Sequence, residues 1–433
     1  MLIEGRPEPI TALFAFAVAA ALAWLLVPFA ERIAWRLGAV DYPKERSLHA
    51  TPTPKLGGLA ILVAVLVAGA LFLPWVEQTR AILLGAAVIA GLGVIDDVFE
   101  LSAGPKLVGQ IVGAAIPVFH GVRIGTFTLP FVGTVDPASI DLVSLPITGN
   151  VDLGHVLTIL GIVAAINVIN FVDGVDGLAA GVCVISAGAL AIIALSLDRT
   201  SAGVLAALTA GGALGFLRHG FPPASSFMGD TGSNLLGYLL ATIAIQGALK
   251  TNAVVALFFP LIVLAVPILD MGFVVAKRIK YRRPIYEGDR WHFHHRMANI
   301  GFSQRRTLLY LYGWAAIMAG LALALRFVPY SDDHGNFDPF WTAVIVVCLL
   351  GAVIASVYLV VTLEILKLRR VRTRQVGTVT GMPPTPAAID EGVARELETG
   401  SFEVVNPHTG EFESLDPETG EFEAIEQPED AQQ

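Results

Sequence analysis

Apolar runs long enough to cross a bilayer recur along the first 365 residues of this chain, and they leave few folds open to it. Crossing the hydrocarbon layer takes about 20 residues of helix. No water is available there, so backbone N–H and C=O groups must bond within the segment, and each run is predicted to be an α-helix. Eleven runs are predicted, at roughly 10–30, 57–74, 80–95, 106–120, 154–171, 178–196, 201–217, 232–248, 253–275, 306–327 and 340–365. The expected fold class is therefore an all-α polytopic membrane protein. Composition agrees: 55% of the 433 residues are hydrophobic and the mean hydropathy is +0.68. Only 15% are charged, so where the charges fall is informative.

Lys and Arg concentrate in three segments. The loop after the first run holds Arg32, Arg36, Lys44, Arg46 and Lys55. The loop before the tenth holds Lys277, Arg278, Lys280, Arg282, Arg283, Arg290, Arg296, Arg305 and Arg306. The segment after the last holds Lys367, Arg369, Arg370, Arg372 and Arg374. With eleven spans all three fall on one side, which the positive-inside rule makes cytoplasmic. The N-terminus is then outside and the C-terminus inside. The first run is too long for a cleavable leader, and its one preceding cation, Arg6, is offset by Glu4 and Glu8. The long loop 121–152 would be external, and its β-branched, turn-rich stretches predict a short β-hairpin. Cys183 and Cys348 lie inside apolar runs and imply no disulfide framework.

Residues 1–375 form the predicted membrane domain and 376–433 a separate tail. The net charge of −9 hides this division: from Val379 onward there are 14 Asp or Glu and one Arg, which leaves the remainder near +4. The tail repeats every ten residues, as Glu398-Thr-Gly-Ser-Phe-Glu, His408-Thr-Gly-Glu-Phe-Glu and Glu418-Thr-Gly-Glu-Phe-Glu. So acidic and turn-rich a stretch has little apolar surface to offset its ordering entropy, and it is expected to be a disordered, solvated tail. A docking motif for a basic partner is the alternative.

Four polar clusters sit at span ends, all on the predicted cytoplasmic face. Asp96 and Asp97 end the third span, with Lys106 the nearest cation in sequence. Adjacent carboxylates repel, which raises one pKa or recruits a cation, so they read as a metal site or a general base; a polar stop at a helix end is the bland alternative. Asn167, Asn170, Asp173 and Asp176 are spaced by three and would lie roughly on one side of a helical end. Their oxygen-only donors suit a hard cation such as Mg²⁺. Asp230, in Phe-Met-Gly-Asp-Thr-Gly-Ser, opens the eighth span and reads as a metal ligand or an ordinary N-cap. Asp289, His292, His294, His295 and Arg296 lie in the basic loop; they could bind zinc, but their arginine neighbours favour an anion such as a diphosphate. In the first loop, Arg46 and Lys55 could hold a lipid phosphate or serve only as positive-inside flanks. Metal, phosphates and a membrane surface together suggest phosphoryl transfer with a lipid-borne partner. The competing readings are a transporter, for which no internal repeat is visible, and a scaffold acting through the tail.

These motifs resemble the polyprenyl-phosphate N-acetylhexosamine-1-phosphate transferases, over about residues 35–310. The resemblance is carried by Gly-Val-Ile-Asp96-Asp97 with Lys106 and Gln110, by Asn170-Phe-Val-Asp173-Gly-Val-Asp176-Gly, by Phe-Met-Gly-Asp230-Thr-Gly-Ser, and by His292-Phe-His294-His295-Arg296. It implies transfer of an N-acetylhexosamine-1-phosphate, most often GlcNAc-1-phosphate, from a UDP-sugar to polyprenyl phosphate, at the cytoplasmic face of a bacterial inner membrane. It implies Asn170 and Asp230 as ligands of Mg²⁺, or Mn²⁺ in its place. Asp96 or Asp97 would deprotonate or orient the lipid phosphate, and Lys106 would contact a phosphate. Asp173 and Asp176 would support nucleotide and metal, and His292, His294, His295 and Arg296 would hold the UDP diphosphate and sugar. No nucleic-acid partner is expected, and a homodimer is left open. One departure is local: His219-Gly220 stand where the family usually has Asn.

Overall fold

The computed structural model describes residues 8–43, 51–125, 127–129, 133–145, 149–248, 303–329 and 338–358, positions 268 and 272, and the backbone of three short strands between 402 and 423. Lys44, Arg46, the predicted span at 253–275, and the segment holding Asp289, His292, His294, His295 and Arg296 lie outside the described residues.

The chain divides into two units. The larger holds residues 1–271 and 304–349. Its helices are α1 (Glu8–Leu37), α2 (Gly58–Phe72), α3 (Glu77–Phe99), α4 (Ala103–Phe119), α5 (Leu153–Val172), α6 (Leu178–Ser196), α7 (Thr200–Gly220), α8 (Gly229–Ala248) and α9 (Gln304–Phe327). A last helix, α10, runs over Pro339–Tyr358. Among the described residues seven helices are long and apolar enough to span a bilayer: α1, α3, α5, α6, α7, α9 and α10. Two predicted spans are shorter apolar helices, α2 with 15 residues and α4 with 17. In α8 the first two turns carry Asp230, Thr231, Ser233 and Asn234, which shortens its apolar stretch. The molecule is a polytopic all-α membrane protein.

Large apolar side chains face outward, among them Leu13, Trp24, Leu25 and Phe29 of α1. Small ones face inward. Ala12, Ala15, Ala19, Ala23, Ala30 and Ala34 are all buried along one stripe of α1, which packs most extensively on α7. A Cβ at Gly211 would lie 2.2 Å from the Phe16 carbonyl oxygen, and one at Gly215 2.2 Å from that of Ala20. Between helices in lipid there is little hydrophobic drive, so close backbone approach through small residues supplies the attraction.

The segment between α4 and α5 forms two antiparallel pairs, β3 (Phe127–Leu129) with β4 (Gly133–Val135) and β5 (Asp141–Leu145) with β6 (Gly149–Asp152). They follow a first short pair, β1 (Val40–Asp41) with β2 (Thr53–Pro54). Asp152 then caps α5: its carboxylate accepts from the His155 backbone N–H at 3.0 Å and pairs with Arg123.

In the smaller unit, each ten-residue repeat of the tail carries one strand: β7 (Phe402–Val405), β8 (Phe412–Leu415) and β9 (Phe422–Glu423). They pair antiparallel in the order β7-β8-β9, in a stretch whose composition predicts disorder. Every strand begins at the repeat's Phe.

Candidate active site

Five helix ends meet at one end of the larger unit: the C-termini of α3 and α5 and the N-termini of α2, α4 and α8. Backbone bonds lace the first two segments involved. Phe227 N–H donates to the Pro54 carbonyl at 2.8 Å, Gly57 N–H to that of Phe227 at 2.9 Å, and Gly58 N–H to that of Met228 at 3.0 Å. Lys55 lies in this lacing, its own N–H donating to the Ala39 carbonyl at 3.0 Å. Its side chain is half-buried.

At the start of α8, Gly229 adopts φ +67°. A Cβ there would lie 2.2 Å from the Lys55 carbonyl oxygen and 2.5 Å from the Asp97 carboxylate, so this position admits only glycine. The close approach lets Asp97 cap α8 from another helix. Its Oδ1 accepts from Asp230 N–H at 2.9 Å; its Oδ2 accepts from Thr231 N–H at 3.0 Å and the Thr231 hydroxyl at 2.7 Å. A helix N-terminus has unpaired N–H groups and a positive dipole end, and this carboxylate answers both.

Asp96 does something different. Its Oδ1 accepts from Leu101 N–H at 2.8 Å, closing the end of α3, and its Oδ2 pairs with the Lys106 ammonium. Lys106 also donates to Asp230 Oδ2. The other Asp230 oxygen accepts from the Asn170 amide at 2.6 Å, and the same amide donates to Ser233 Oγ at 2.9 Å. Below Asn170, Asn167 donates to Gln110 Oε1 at 2.8 Å. Asp96, Asp97, Lys106, Asn170 and Asp230, up to 134 residues apart in sequence, thus share one bonded network.

Asp173 is the C-cap of α5, with its N–H donating to the Asn170 carbonyl at 3.2 Å. Burial, and then the charges of Asp230, Asp97 and Asp176, push its carboxyl well above the usual carboxylate range. Asp176 accepts from Ala224 N–H at 3.2 Å, which ties the acidic turn to the segment leading into α8. His219 stands at the departure from the family pattern. Its Nε2 lies 3.1 Å from the Trp24 carbonyl and its Nδ1 3.4 Å from Ser225 Oγ. A Cβ on the buried Gly220 would lie 2.6 Å from the Phe216 ring.

Among the described residues no three His, Cys, Asp or Glu side chains form a ready metal cage. Mg²⁺ does not need one: it commonly takes one or two carboxylates, with waters and substrate phosphates completing the shell. Asp230 and Asn170 are adjacent hard-oxygen residues, and the Lys106 ammonium already sits where a cation is attracted between Asp96 and Asp230. The donor set therefore fits a hard divalent ion.

Residues 79–248, which hold this whole network, match the model of glycosyl transferase family 4. The chain is 37% identical over 314 residues to a probable undecaprenyl-phosphate N-acetylglucosaminyl 1-phosphate transferase of Bacillus subtilis, covering 72% of this chain and 84% of that one. The chain belongs to glycosyl transferase family 4. Two further members are similar: the decaprenyl-phosphate N-acetylglucosaminephosphotransferase of Mycobacterium leprae, 37% identical over 69% of this chain and 79% of its own length, and that of Mycolicibacterium smegmatis, 35% identical over 78% and 86%. The family model ends at the close of α8 and so excludes both the histidine segment and the tail.

Sequence reasoning singled out every acid of this network. It missed that Asp97 caps α8, and it missed Ser233 and Tyr312. The hydroxyl of Tyr312 donates to the Gly177 carbonyl at 2.6 Å, beside the acidic turn.

Proposed function

We propose that this family 4 enzyme transfers N-acetylglucosamine-1-phosphate from UDP-N-acetylglucosamine to polyprenyl phosphate, releasing UMP. The observation that carries the reading is the Lys106 ammonium shared by Asp96 and Asp230, with Asn170 on the second oxygen of Asp230. The named activities of the three relatives support the same chemistry.

An oxygen of the lipid phosphate attacks the β-phosphorus of the UDP-sugar. The bond from that phosphorus to the bridging oxygen breaks, and UMP leaves with the electron pair. Such transfer asks mostly for positioning and for offset of negative charge. Lys106 supplies a fixed positive charge beside the reacting phosphates. Asp96, whose Oδ2 is ion-paired with Lys106 rather than fixed to a helix, orients the lipid phosphate that Lys106 would contact and accepts any proton it carries. Asp97 has both oxygens engaged by α8 and acts as the residue that fixes Asp230. Asp230 and Asn170 would hold Mg²⁺, or Mn²⁺ in its place, which when bound offsets charge on the diphosphate. Asp173 and Asp176 support the nucleotide end, and His292, His294, His295 and Arg296 are assigned to the diphosphate and sugar from their sequence pattern. Lys55 and Arg46 are assigned to the lipid phosphate on the same ground.

The eleven-span arrangement, with the N-terminus outside and this site on the cytoplasmic face of the bacterial inner membrane, belongs to the same reading. Its support is the bias of Lys and Arg to the three segments on that side.

The test is the identity of the nucleotide product. Purified protein is given UDP-N-acetylglucosamine, polyprenyl phosphate and Mg²⁺, and the nucleotide is resolved by chromatography. UMP formed only when the lipid is present is the expected result. UDP as the product would mean transfer of the sugar alone and would overturn the reading.

A further inference from the structure

The acidic turn from Asp173 to Gly177 joins α5 to α6 and is held from two directions. On one side Ala224 N–H binds Asp176 at 3.2 Å. On the other, Tyr312, in the third turn of α9, donates its hydroxyl to the Gly177 carbonyl at 2.6 Å. That carbonyl also receives the first helical bond of α6, from Gly181 N–H at 2.9 Å. Gly177 has φ +76°, so the chain reverses sharply where the hydroxyl grips it. The Tyr312 ring fills the space beside Gly181, where a Cβ would lie 2.2 Å from ring atoms. Ring and hydroxyl together dock α9 on the start of α6.

A second strap joins the same two helices at the opposite end. Arg326 donates from Nε to Ser196 Oγ at 2.8 Å and from its guanidinium to the Ser196 carbonyl at 2.6 Å. If Tyr312 served only to pack α9 on α6, the two straps would be equivalent. They differ in what they touch: Ser196 ends α6 far from the acids, whereas Gly177 directly follows Asp176.

We propose that Tyr312 is a positioning residue of the nucleotide-sugar site, its hydroxyl fixing the Gly177 turn and through it the placement of Asp173 and Asp176. This rests on the reading that those two acids support the nucleotide. A neutral hydrogen bond has a modest net value, so removing it should loosen the turn without unfolding the protein. In sequence, α9 begins eight residues after Arg296.

Three variants, Tyr312→Phe, Arg326→Gln and Asp176→Asn, separate the possibilities. KM and kcat are measured with UDP-N-acetylglucosamine, and UDP-N-acetylglucosamine binding is measured by calorimetry in Mg²⁺. Tyr312→Phe keeps the ring against Gly181. It is expected to raise KM and the dissociation constant about five- to tenfold, with kcat within about twofold and little change in melting temperature. Arg326→Gln is expected to lower the melting temperature and leave KM unchanged. An unchanged KM and dissociation constant in Tyr312→Phe, or parallel changes in Tyr312→Phe and Arg326→Gln, would overturn the assignment. Should Asp176→Asn also leave KM and binding unchanged, the nucleotide role of the acidic turn fails with it. A raised KM in Asp176→Asn beside a normal Tyr312→Phe removes Tyr312 alone.

Discussion

Asp230→Asn is expected to abolish transfer while the protein stays folded. The substitution keeps the size of the side chain, and α8 remains capped by Asp97 through backbone N–H groups that the change does not touch. What changes is charge. Lys106 loses one of its two carboxylate partners, and the oxygen that faces it becomes either neutral or an amide donor. The hard-oxygen pair with Asn170 loses its only anion. Removal of one preorganised electrostatic group costs on the order of 10²–10³ in rate, and here a fixed cation and the proposed metal ligand are disturbed together. A loss of about 10³-fold or more in kcat is therefore expected, with a melting temperature within a few degrees of the parent. The check is UMP release at saturating Mg²⁺ beside a thermal melt in detergent. Near-normal turnover would refute the assignment of Asp230.

Asp97→Asn is expected to act differently, losing stability and activity together. Asp97 is an acceptor for three donors, two of them on one oxygen. An amide in its place must point its NH₂ at one of those donors. The buried N–H so left unpaired costs about 1–3 kcal/mol. With the loss of charge at the helix N-terminus, worth about 0.3–1 kcal/mol, a lowered melting temperature follows. Activity should fall because the start of α8, and with it Asp230, is no longer held in register. Asp97→Glu offers no rescue, since Gly229 already abuts the carboxylate. If Asp97 were instead the base of the reaction, Asp97→Asn would lose activity with an unaltered melt, and that result would return to Asp97 the role assigned here to Asp96.

These two acids show how far sequence reading reaches. Asp96-Asp97 at the end of an apolar run is legible as a costly pair of charges that needs a cation. Which of them meets the cation is not legible, because it depends on Gly229, 132 residues away, approaching within contact of Asp97. The same limit applies to Lys106. It stands out as the nearest cation to the pair, but its sharing between Asp96 and Asp230 is set by the packing of α3, α4 and α8.

Span counting reads well where apolar runs are long and uninterrupted, as in α5 and α6. It reads less well for α2 and α4, which are short, and for α8, whose first turns belong to the site. The alanine stripe of α1 and its fit to Gly211 and Gly215 carry a weak signal, because alanine counts as hydrophobic on either face of a helix. Tyr312 had no signal at all: a lone tyrosine near the start of an apolar run is ordinary, and only its bond to Gly177 gives it meaning. In the tail, the acidic, turn-rich composition predicts disorder and gives no strand signal, and each ten-residue repeat carries one short strand whose pairing only the structure shows.

The most direct measurement of the account is Mn²⁺ binding followed by electron paramagnetic resonance, with UDP-N-acetylglucosamine present. One tightly held ion per chain is predicted in the parent protein, and none in Asp230→Asn at the same concentrations. An equal complement of bound Mn²⁺ in the two proteins would contradict a metal held by Asp230 and Asn170.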